Sequence, residues 1–102
     1  MINSFYATGT DIQSFVEKLS QKLKAMSLGD IVDIIIVEDK LTLKFSKFGI
    51  STIEFSLKTE DKSFKCEFLN ESIAFPHKPL KADMETKLAS ILEQNGATVE
   101  LT

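Results

Sequence analysis

One histidine and one cysteine carry most of the reactive chemistry this chain could offer, and they stand apart. His77 lies in Phe75-Pro76-His77-Lys78-Pro79, where the prolines stiffen the backbone. An imidazole in a rigid loop can act as a general base or as a metal ligand. A metal site asks for further His or Cys at ligand spacing, and the sequence has no second histidine and no cysteine nearby. Its neighbours favour reading His77 as an exposed loop residue just ahead of a helix. Cys66 alternates with Phe64 and Phe68, which points it inward as a small hydrophobe. A nucleophilic thiolate needs a stabilising neighbour and access, and an inward position offers neither.

The acids fall into two groups. Glu38, Asp39, Glu60 and Asp61 sit in turns, where carboxylates are ordinarily solvated. Asp33 interrupts the apolar run Ile31 to Val37. On a buried face it would be a site residue. On the solvent face it keeps that strand soluble, and this second reading is favoured. Ala7-Thr8-Gly9-Thr10 leads into a helix and has the look of an anion-binding turn. It holds one glycine and lacks the Lys-Ser/Thr ending of a phosphate-binding loop, and a capping box already uses its amides. Lys44, Lys58 and Lys65 share one outer face with Ser46 and Thr52, a surface that suits an acidic partner. Glu54 and Glu67 on the same face partly neutralise it, so a mixed solvated face is expected. Phe48, Ile73 and Phe75 fall outside any regular alternation. With His77 they form a candidate pocket between an irregular loop and the sheet.

The elements that must hold these residues are legible from periodicity. Thr10-Asp11-Ile12-Gln13 reads as a capping box, with Asp11 in the first helical turn. Ile12, Phe15, Val16, Leu19, Leu23 and Met26 then recur at intervals of three and four, which predicts a helix over Asp11 to Met26 stopped by Gly29. Four short runs follow. Ile31 to Val37 is β-branched and continuous. Leu41 to Phe48 alternates, Gly49 breaks it, and Ile53 to Lys58 and Phe64 to Phe68 alternate again. The short links predict an antiparallel meander. Asn70 to Pro79 is irregular. A second helix starts near Leu80, with a stripe of Leu80, Met84, Leu88, Ile91 and Leu92, and Asn95-Gly96 ends it. Ile2 to Ala7 reads as a short strand or a lead-in, and Val99 to Leu101 as a last short strand or a frayed end.

These elements predict an α+β two-layer sandwich in which a four-stranded antiparallel meander carries an N-terminal and a C-terminal helix on one face, in the order (β)αββββα(β). Residues 1–102 read as a single compact domain with no linker. The first strand does not fit a wet outer face. If Val32, Ile34 and Ile36 face the helices, Ile31, Ile35 and Val37 point outward beside Asp33. Either that strand is central and covered within the monomer, by Ile2 to Ala7 or by Val99 to Leu101, or it is a surface for a partner. The first reading is marginally favoured.

Composition narrows the function. A formal net charge of −3, from 12 basic and 15 acidic side chains, lacks the basic footprint of nucleic-acid binding. The N-terminus shows no basic and apolar leader, and no window is long and apolar enough to span a membrane. One cysteine excludes an internal disulfide and suits a reducing compartment, so a cytoplasmic place is expected. No catalytic set, metal site or cofactor is expected. The leading expectation is a small non-enzymatic interaction module of adaptor, inhibitor or immunity type. It would act through the apolar first strand and sheet face (Ile31, Asp33, Ile35, Val37, Lys44, Lys58, Lys65), as a homodimer or with another protein. The alternative is a protein or enzyme that holds a small apolar ligand between sheet and helices, gated by residues 70–79.

Overall fold

A computed structural model describes residues 1–26 and 29–102. The chain runs β1 (Ile2–Thr8), α1 (Ile12–Ala25), β2 (Val32–Val37), β3 (Lys40–Phe45), β4 (Ser51–Glu60), β5 (Ser63–Ser72), a 3₁₀ segment (Phe75–Leu80), α2 (Lys81–Gln94) and β6 (Thr98–Leu101). The described strands form one antiparallel sheet in the order β2-β3-β4-β5-β1-β6, so the fold is α+β with six strands rather than four. The two terminal segments are strands, and both lie on the far side of β5.

Alternation works as the sequence implies. Leu41, Leu43 and Phe45 on β3, Ile53, Phe55 and Leu57 on β4, and Phe64 and Cys66 on β5 are buried with Phe15, Leu19 and Leu23 of α1 and Leu88, Ile91 and Leu92 of α2. Both helices therefore cover the same face. Phe rings tie the middle together: Phe5 meets Phe55 edge to face at 5.1 Å, and Phe15 lies 4.9 Å from Phe64. Of the expected stripes, the ends are wet. Met26 and Leu80 are exposed.

Several boundaries move. The cap of α1 is Asp11, not Thr10. Asp11 Oδ1 accepts from the Ser14 N–H at 2.7 Å, while the Thr10 hydroxyl donates to the Asp11 carbonyl. An ionised carboxylate is the stronger acceptor at a positive helix end. That bond from Ser14 holds the Asp11 carboxyl below its ordinary range. β3 stops at Phe45 rather than Phe48, and the loop to β4 begins there. β5 runs on to Ser72 because its register shifts between Glu54 and Phe55 of β4, which leaves Leu69 as an extra, exposed residue. Past that bulge the parity reverses, and Glu71 turns to the helix side, where Lys81 meets it at 2.5 Å. The prolines do not leave residues 75–80 irregular: Pro76 opens a 3₁₀ turn, where a missing N–H costs nothing. Among the described residues no helix is long and apolar enough to cross a membrane.

Candidate functional site

The five-residue loop between β3 and β4 folds against the segment after β5. Gly49 has φ of 138°, and a Cβ there would lie 3.0 Å from the Ala74 side chain, so only glycine lets the two segments close. Ser51, the first residue of β4, is fully buried beneath this contact. Its hydroxyl donates to His77 Nδ1 at 2.5 Å and accepts from the Ala74 N–H at 2.8 Å. The other ring nitrogen, Nε2, donates to the Lys47 carbonyl. A carbonyl can only accept, so Nε2 carries a proton, and in the neutral ring Nδ1 is then the acceptor.

His77 is therefore not the exposed loop residue expected from its neighbours. It is 6% exposed and pins three segments together. Its partners, Ser51 and Lys47, lie 26 and 30 residues away in the chain, which is why local composition misses it. The Ser51–His77 pair has the reach of a nucleophile and its base, but the hydroxyl has no access and is committed at both ends. This arrangement is a buried pin.

What the pin presents is apolar. Phe48 is 81% exposed and Phe75 83% exposed, one on each pinned segment. Phe48 also sits at φ 60°, a left-handed conformation that costs a bulky residue roughly 1–2 kcal/mol. Strain of this kind persists where surrounding structure holds it. Lys47 Nζ lies over the Phe48 ring at 5.6 Å. Beside them runs an open groove of about 570 Å³, walled by Ile31, Val32, Phe45, Leu80 and Met84. Its rim carries Lys47 and the Asp83–Lys87 ion pair, closed at 3.0 Å. Of the expected pocket residues, Phe48 and His77 line the groove. Ile73 packs into the core instead, and Phe75 stands out in solvent next to Pro76. Lys47, Leu80 and Met84 were not foreseen as groove residues; an exposed apolar position opening α2 was their only signal.

The first strand of the meander provides the second part of the site. β2 is the outermost strand, so the expectation of a central, internally covered strand is corrected. Neither β1 nor β6 covers it. They pair with β5 and β1 at the opposite margin, where α1 carries the chain across the whole sheet. Ile35 and Val37 are 41% and 62% exposed on the outer face, with Asp33 exposed beside them. Ile31 does not join them. It lies before β2 begins, packs on the core and walls the groove. Groove and free edge thus meet at the start of β2.

The lysines separate. Lys58 pairs directly with Lys65 across β4 and β5, while Lys44 is level with Thr52, six residues along β4. That spacing is about 20 Å, so Lys44 is no part of a patch with the other two. Lys44 instead stands opposite Asp33. Lys58 is shared with Glu67 at 4.0 Å.

The Cys66 thiol is enclosed and the turn before α1 is occupied. Burial pushes the Cys66 thiol up to about 12. The Gly9 N–H is bonded to the Lys62 carbonyl at 2.7 Å, which removes it from any anion cradle. Among the described residues no three His, Cys, Asp or Glu side chains gather as metal ligands would. No family model, curated protein or solved structure matches the chain.

Proposed function

We propose that the protein is a non-enzymatic interaction module, of adaptor, inhibitor or immunity type, working through the free edge of β2 and the groove that continues it. One observation carries the reading. β2 is a six-residue, almost wholly β-branched strand left at the margin of the sheet, with Ile35 and Val37 uncovered on the outer face beside the polar outward side chains of β3 and β4. Long apolar edges invite another strand, and exposed apolar patches tend to mark binding surfaces. The pinned, strained Phe48 supports the same reading, because rigid aromatic side chains lose little entropy on binding. The partner is a protein strand, from a second copy or from another protein. The lone thiol suits work in the cytoplasm.

The test is Ile35→Lys, followed by mass in solution across concentration and by circular dichroism. A folded variant that no longer associates with the partner supports the proposal. A variant that unfolds, or that associates as before, overturns it.

A second reading has its own observation. The groove falls in the size range of small-ligand sites, about 300–1,000 Å³. The cavity between the sheet and α2, lined by Phe45, Ile53, Ile73 and Leu88, is only about 10 Å³, room for one water, so an apolar ligand fits the groove better than this cavity. Native mass spectrometry decides: a copurifying small molecule, lost on Leu80→Glu, favours this second reading.

A further inference from the structure

We infer that the free edge of β2 takes up an extended, lysine- or arginine-bearing segment of another protein as a seventh strand, in preference to a second copy of this chain; the inference rests on the interaction reading above and names its partner.

The backbone sets the docking pattern. The Ile31 carbonyl accepts from the Ser46 N–H at 2.9 Å, and this pair lies in the β2–β3 register. In an antiparallel ladder, bonded and non-bonded pairs alternate. Asp33, Ile35 and Val37 therefore turn their amides and carbonyls to β3. Val32, Ile34 and Ile36 turn theirs away from the sheet, three donors and three acceptors in a row. An incoming strand satisfies all six, the mode by which extended peptides add to a sheet edge.

Charge chooses the strand. Asp30 and Asp33 at one end of β2 and Glu38 and Asp39 at the other are all exposed. Among the described residues none of the four has a cation within 4 Å. The neighbouring lysines do not cancel them. Lys40 is held by Glu54 at 2.7 Å, and Lys44 faces Asp33 beyond ion-pair distance.

A second copy meets this fence badly. Two-fold antiparallel pairing that keeps the same face outward must centre on one residue. Centred on Asp33, the two Asp33 carboxylates face each other. Centred on Ile36, Asp33 comes level with the acidic Glu38–Asp39 turn of the copy. Centred on Ile34, the two Asp33 are diagonal neighbours, and centred on Ile35, each stands opposite Val37 of the copy, next to its acidic Glu38–Asp39 turn. Like charges opposed across a ladder are destabilising. A strand with a basic residue opposite Asp33 and apolar ones opposite Ile35 and Val37 removes that conflict, covers the apolar strip and gains attraction at both ends.

The experiment titrates the full chain with three blocked heptapeptides: one with lysine at positions one and six, valine at two and four and threonine elsewhere, which sets lysine opposite Asp33 and valine opposite Ile35 and Val37 in an antiparallel register; the same peptide with glutamate for lysine; and the lysine peptide N-methylated at every second amide. Binding is followed by amide exchange. The lysine peptide is expected to slow Val32, Ile34 and Ile36 by about tenfold or more while leaving Asp33, Ile35 and Val37 unchanged, with the N-methylated form inert. Its affinity should fall about tenfold between about 50 mM and about 500 mM salt, and again on Asp33→Lys. Equal protection by the glutamate peptide, or binding that leaves the three amides unprotected, overturns the inference. Protection that appears with rising protein concentration alone and strengthens with salt identifies a second copy: the basic-strand inference then fails while the interaction reading stands. Slow exchange at all three positions in the dilute free chain ends both.

Discussion

At one margin of the sheet β6 contributes four residues, Thr98–Leu101, and its pairing with β1 slips between Ile2 and Ser4. At the other, β2 contributes six residues in unbroken register with β3, without proline, lysine or bulge. Shortness, a bulge and a charged residue such as Glu100 are the usual means of blunting an edge against stray pairing. β6 has all three; β2 has only Asp33. One margin is thus blunted and the other is not, and the unblunted margin is the one that adjoins the groove and the strained Phe48.

The largest expected effect tests what both edges share. Phe55 is fully buried against Phe5 and Phe68, at 5.1 and 6.3 Å between rings. Phe55→Ala should cost about 3–5 kcal/mol in urea unfolding, with both margins melting together. A loss well under that, or β2 unfolding ahead of β6, would place the core elsewhere. Next comes His77→Ala. It strands the Ser51 hydroxyl and the Lys47 carbonyl, a loss of about 1–3 kcal/mol. Amide exchange should quicken in residues 46–50 and 73–77 and stay unchanged in β6. Ile35→Lys and Glu100→Lys make the sharpest pair. Both positions are exposed, so the thermal transition should barely move for either, within about 0.5 kcal/mol for Ile35→Lys. Only the β2 variant should lose binding of the lysine peptide; loss in both would erase the contrast between the margins.

Much of the architecture was legible because it rests on local periods. The stripe Phe15, Leu19, Leu23 and the alternation along Leu41–Phe45 and Ile53–Leu57 state directly which sides are greasy. What was not legible depends on contacts distant in sequence. The place of β2 is decided by where β1 inserts, between β5 and β6, and no feature of residues 31–37 records that choice. The continuous apolar run instead suggested burial on both faces. The same limit hid the pin, since a histidine between prolines reads as exposed until Ser51 and the Lys47 carbonyl are seen around it. The Leu69 bulge also escaped, because one extra residue changes the parity of everything after it without disturbing the pattern before it. Phe48 and Phe75 were singled out because they broke the alternation, and they proved to be the most exposed rings.

The openness of β2 is tested most directly by amide exchange on the free, dilute chain, residue by residue along the strand. Val32, Ile34 and Ile36 should exchange fast while Asp33, Ile35 and Val37, bonded to β3, exchange slowly. Uniform protection along the strand at monomer mass would mean that this margin is already covered, and would contradict the assignment of β2 as a binding edge.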